Sequence, residues 1–151
     1  MKRTIFSITA ICALALATYA SGAPSTTILI RHQTRGCHAW SSGTGHPYKA
    51  AQSLRLARGS SITVINNDVM AHQMFQTSGP QVAIKKVAST MMAMSHEFKG
   101  TGVMAHPGAS VRIIFANAGT YTFRTRFGED YMKMPDTVGE DNTLTLKVVV
   151  S

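Results

Sequence analysis

Apolar and polar residues alternate in short runs along most of the chain. In Ser61-Ile-Thr-Val-Ile-Asn66, Ile62 and Val64 share one face of a half-buried strand. Leu144, Leu146, Val148 and Val150 alternate in the same way and give the cleanest strand of all. Thr26-Thr-Ile-Leu-Ile-Arg31 is rich in β-branched residues and reads as a strand. A short one over 52–58 sets Leu54 and Leu56 against charge, and Gly59 turns it into the run at Ile62. Val111, Ile113 and Phe115 form a further strand, Asn117-Ala-Gly119 a tight turn, and Tyr121–Phe123 the return strand. Asn66-Asn-Asp68 stops its strand, because short polar side chains that bond their own backbone favour turns. Ser78-Gly-Pro80 is a break, 81–104 is longer and less regular than a hairpin needs, and a polar loop runs from Arg126 to Asn142. Helical periodicity is nearly absent. About seven short strands with Gly turns predict an all-β sandwich or barrel.

The first twenty residues follow a different rule. Lys2-Arg3 precedes an apolar run from Thr4 to Ala20 that is too short to span a bilayer comfortably and ends in small residues. We expect a signal peptide over 1–20, cleaved after Ala20 in preference to Ala23, where Pro24 would follow. The expected mature chain, 21–151, is one domain of about 130 residues, enough for a real core. It would be periplasmic or secreted, monomeric, and without a transmembrane segment. Fifteen Lys and Arg oppose seven Asp and Glu; losing Lys2 and Arg3 leaves thirteen against seven, a formal charge of +6. The basic residues are scattered, with no basic helix or aromatic ladder, which argues against nucleic acid. An acidic partner or surface fits better. Five of the seven acids fall between Glu129 and Asp141.

The same cleavage removes Cys12 and leaves Cys37 alone. No internal disulfide can form, and a lone thiol in an oxidising compartment calls for burial, metal ligation or an intermolecular bond. His72 follows a strand exit and is flanked by Met70 and Met74, which places an imidazole and two thioethers at one rim. Soft sulfur with borderline nitrogen suits copper better than magnesium, calcium or manganese. Zinc on Cys and His remains open by ligand type. There is no Gly-x-Ser-x-Gly elbow, His-Glu-x-x-His motif or phosphate-binding loop. A nucleophile built from Cys37 with His72 or His106 would lack an orienting third group and leave the methionines without a role. We therefore expect no enzyme.

Gly59-Ser-Ser-Ile-Thr-Val-Ile-Asn-Asn-Asp-Val-Met-Ala-His72 resembles the G-x-x-V-x-F-x-N-x-D-x-x-x-H segment of the cupredoxins, small copper-binding β-proteins. Pro107-Gly-Ala-Ser-Val-Arg-Ile-Ile-Phe115 followed by Ala118-Gly-Thr-Tyr-Thr-Phe123 is similar to that family's last hairpin before its ligand loop. Together these cover roughly residues 52 to 151. The resemblance implies a cupredoxin-like Greek-key β-sandwich or barrel, with His72 in the place of the first copper ligand. One departure stands out. Where the family sets its ligand Cys after Tyr-x-Phe, this chain has Arg124-Thr125.

Alternating strand directions bring the remaining donors to one rim. If the strand ending at Asn66 runs up, Val111–Phe115 runs down, so Met104 and His106 begin at the top. In the resembling fold the first strand also rises, carrying Cys37 and His38 there. The candidate ligands are Cys37, His38, His72, Met104, His106 and Met132, with Met134 a weaker alternative. Cys37 has a bland alternative as a buried small hydrophobe, and His38, its neighbour, points the other way in an extended chain. Met91, Met92, Met94 and His96 read either as a copper-capturing loop or as gap-filling side chains. Trp40 reads as core or lid, and Glu129-Asp130 as a turn. The expected function is handling of copper by trafficking or buffering, delivered to an acidic redox or copper-accepting partner. Electron transfer is the alternative, and a metal-free interaction module on the same fold the third.

Overall fold

The computed structural model describes residues 24–32, 38–42, 47–87, 100–127 and 144–151. These form ten strands: β1 (Ser25–His32), β2 (His38–Ser41), β3 (Ala51–Leu56), β4 (Ser61–Asn66), β5 (His72–Ser78), β6 (Ile84–Lys86), β7 (Val103–Met104), β8 (Ser110–Ile114), β9 (Gly119–Phe127) and β10 (Thr145–Val150). They make two five-stranded sheets, ordered β2-β1-β4-β8-β6 and β3-β10-β9-β5-β7. The chain crosses between sheets at each of the seven connections from β2–β3 to β8–β9. β1 lies parallel to β4, and β3 parallel to β10, so neither pair is a hairpin. The molecule is an all-β sandwich with Greek-key crossovers.

The alternating runs became strands with their apolar faces inward. Ile28, Ile30, Ile62, Val64, Val111 and Ile113 of one sheet meet Tyr121, Phe123, Leu146 and Val148 of the other, all buried. Trp40 joins this core, and its indole Nε1 donates to Ala50 O at 3.2 Å. At about 25 cal/mol per Å² of apolar area, such burial is the main force joining the sheets.

Ten strands stand where the pattern predicts about seven, for identifiable reasons. β2 and β7 have only four and two residues, too short to show a period, and are held by their partners. β5 was missed because its buried positions are His72 and Met74 while Gln73, Gln76 and Thr77 are polar. Met74 belongs to the core rather than to the rim, as a correction to the expectation from its spacing. The predicted loop after Tyr-x-Phe starts later: β9 continues through Arg124, Thr125 and Arg126 to Phe127, paired with β5.

At the end where β8 passes into β9, Tyr121 Oη donates to Asn117 O at 2.6 Å, locking the corner between the sheets. Phe115 packs against it edge-on, with ring centroids 5.0 Å apart and 66° between planes. Gly59 N donates to Phe115 O and Phe115 N to Ser60 O, closing the same end. Tyr121→Phe keeps the ring and removes the bond, leaving the fold unchanged. The expected loss is about 1 kcal/mol of stability, measured as a lower urea midpoint with an unchanged slope.

Candidate metal centre

The opposite end of the sandwich is organised by Asn66, the last residue of β4 and fully buried. Its side-chain amide donates to Met70 O at 2.8 Å and to Met104 O at 3.1 Å, using both N–H groups. Its Oδ1 accepts from Asp68 N at 2.9 Å, an Asx turn that bends the chain out of the strand. Its backbone binds the approach to β8: Asn66 N donates to Ala109 O, and Gly108 N to Asn66 O. That approach is a tight turn in which Ala109 N donates to His106 O, with Pro107 at its second position and Gly108 at its third. Gly108 has φ +84°, the left-handed geometry a type II turn requires at that place. One residue therefore ties together the segment leading to His72, the end of β7 and the turn that begins at His106.

Asp68 is buried and faces His72, also fully buried. Its Oδ1 accepts from Met70 N at 3.2 Å, and its Oδ2 accepts from His72 Nε2 at 3.1 Å. A carboxylate only accepts, so Nε2 carries a proton, and in the neutral ring the lone pair stands on Nδ1. Holding one ring nitrogen by a carboxylate is the arrangement that orients metal-binding histidines and raises their basicity.

His72 is the register partner of Met104 across β5 and β7, and of Phe127 across β5 and β9. Met104 is fully buried and belongs to the core cluster, so its side chain contributes to packing whatever else it does. β7 can lie this close because Gly102 precedes it: Met74 N donates to Gly102 O at 2.8 Å, and a Cβ at Gly102 would run into the Met74 carbonyl oxygen. His106 is 9% exposed, and its Nδ1 lies 2.9 Å from Pro107 O. A carbonyl only accepts, so Nδ1 donates and the neutral ring carries its lone pair on Nε2.

Of the six sequence-derived ligands, the structure sets His72, Met104 and His106 at one end of the sandwich. Cys37 and Met132 lie outside the described residues, as do Met91, Met92, Met94, His96, Glu129, Asp130, Met134 and the expected signal peptide over 1–20. His38 is described in its backbone, paired with His32 at the end of the β1–β2 ladder. Because Ile30 pairs with Asn66 in parallel, that ladder end lies at the Asn66 end of the sheet. Among the described residues, no group of three or more His, Cys, Asp or Glu comes together to hold a metal. Sequence reasoning did not assign Asp68 to His72; the signal was the four-residue spacing of an acid and an imidazole across a turn.

Asn66→Ala would leave the buried Met70 and Met104 carbonyls and the Asp68 amide without their partners. At about 1–3 kcal/mol for each unsatisfied buried group, destabilisation of about 3 kcal/mol or more is expected in urea unfolding. The faster-exchanging amides should be those of 66–72 and 103–109 rather than those of the Tyr121 corner, as read by hydrogen exchange.

No protein-family model matches the chain, and no curated protein matches it in sequence. Solved structures resemble it at low identity. One is an inclusion body protein, PixA, of Burkholderia cenocepacia J2315, with TM-score 0.44 and 11% identity over 88% of this chain and 99% of that one. A variant amicyanin in its reduced state has TM-score 0.39 and 16% identity over 96% and 97%. A purple cupredoxin of Nitrosopumilus maritimus has TM-score 0.38 and 13% identity over 83% and 98%. What makes this chain a β-sandwich is the pairing of its own strands.

Proposed function

We propose that the protein is an exported copper-binding protein that traffics or buffers copper at the Asn66 end of the sandwich. The observation that carries this is His72: buried, held through Nε2 by a buried carboxylate, and opposite a thioether in register. Metal-ligating histidines regularly have their other ring nitrogen held by a carboxylate in this way. The residues that would hold copper are His72 with Cys37, one or both of His106 and Met104, and Met132; His38 is the alternative to Cys37. Imidazole, thiolate and thioether donors suit copper. Copper, when bound, would supply the Cu(I)/Cu(II) couple. The chain's own residues orient the imidazole, exclude water from it and keep the proton on Nε2. The protein is not an enzyme in this reading; it passes copper to an acidic partner in the periplasm.

Electron transfer is the second reading, favoured by how firmly Asn66 and Asp68 hold His72, since a site that does not rearrange changes oxidation state easily. A metal-free interaction module is the third. It is favoured by β9 running on as a paired strand through Arg124 and Thr125, where the resemblance puts a ligand Cys.

Titration of the purified protein with Cu(II), followed by visible absorption with Cys37→Ser alongside, separates these readings. A colourless protein that takes up copper and yields it to a competing Cu(I) chelator is expected for a carrier. An intense band that saturates at one equivalent and vanishes in the variant would promote electron transfer, and no uptake at all would leave the interaction module. Asp68→Asn frees the imidazole to take either tautomer, and should weaken copper binding by about 10–100-fold with little change in the folded spectrum.

A further inference from the structure

Asp68 is the one Asp or Glu among the described residues, and it is buried, whereas the described surface carries Lys and Arg throughout. The outer face of the second sheet collects four of these cations. Along β9, Arg124 and Arg126 are exposed and alternate with the inward Phe123 and Thr125. Arg124 stands in register between Phe75 of β5 and Thr145 of β10, and Arg126 beside Gln73. Lys147 of β10 shares its row with Thr122 and Ser53, and Arg55 of β3 stands opposite Val149. Residues opposite in register point to the same side of a sheet. Arg55, Arg124, Arg126 and Lys147 therefore form one array across the three strands β3, β10 and β9, with no Asp or Glu on this face among the described residues. The array reaches the candidate metal centre, because Arg126 pairs with the residue next to His72.

The face discriminates among anionic partners. Its half-buried aromatic residue, Phe75, is covered by the Arg126 guanidinium, 5.0 Å from the ring centroid, so it offers no bare platform for a stacked base. Among the described residues, the exposed large hydrophobic side chains, Val69, Val87 and Ile114, all lie off this face, so the described part of it presents nothing to insert into a bilayer. What remains is a broad two-dimensional array of positive charge on a rigid sheet.

From this we infer that the outer face of β3, β10, β9 and β5 is a docking surface for an acidic protein surface. Electrostatic complementarity of this kind speeds encounter and sets orientation, and it weakens with salt. The inference does not depend on copper. It does place a docked partner beside His72.

The test is an amide NMR titration of the isotope-labelled protein with poly-L-glutamate at low salt. A short DNA duplex and vesicles containing anionic phosphatidylglycerol serve as parallel arms. Shifts confined to β3, β5, β9 and β10, reversed by added salt, are the expected result. Replacing Arg124, Arg126 and Lys147 together by Gln should weaken binding on the order of tenfold, since exposed charge pairs are individually weak and add modestly. Lys85→Gln with Lys86→Gln, on the other sheet, should leave it within about twofold. Exposed substitutions of this kind leave the fold intact, which the unperturbed spectrum would verify. Equal weakening by both sets, shifts spread over both sheets, or tighter binding of the duplex or the vesicles than of poly-L-glutamate would overturn the inference.

Discussion

The end of the sandwich that carries His72 depends on the hydrogen bonds of one buried amide. Asn66 ends a strand, and a strand end leaves backbone groups that must find partners away from water. Its side chain meets that demand for two other segments at once, through the Met70 and Met104 carbonyls. A hydrophobic residue of similar size would pack as well and satisfy neither. An aspartate would supply the acceptor that Asp68 N needs but lose both donors. The geometry around His72 follows from an amide having two donors and one acceptor at a single carbon.

That anchoring changes what the imidazole can do. A histidine on a loose loop samples both tautomers and many rotamers, and it pays conformational entropy when a ligand orders it. Here the ordering is done during folding, by a carboxylate that is itself held by Met70 N. The sheet sets the height of the ring, the Asx turn its approach and Asp68 its proton. The remaining variable is which donors the neighbouring segments bring.

The sandwich was largely legible in the chain because its core strands alternate cleanly: Ile62 and Val64, Leu146 and Val148, Val111 and Ile113 all turned inward. β5 was not legible, since its inward positions are an imidazole and a thioether and its neighbours are amides and hydroxyls; tertiary pairing with β9 made it a strand. The stop at Asn66 could be read from local turn chemistry. Its bond to Met104 O could not, because the two are 38 residues apart and nothing local encodes that meeting. The spacing of Met74 suggested a rim position until the strand began at His72 and turned the next even position inward. The site was legible to the extent that donor types and strand directions were; the second ring of contacts around the imidazole was not.

The parallel pairing of β3 with β10 has a kinetic meaning. Ala51 cannot meet Thr145 until almost all of the intervening chain has been gathered, and β9 has its β10 neighbour only then. Closing so long a loop costs entropy before any ladder bond returns it, and folds dominated by such contacts form slowly. The second sheet remains open on one side until β10 arrives, so during synthesis from the N-terminal side β3 and β9 wait for their shared neighbour until β10 has emerged.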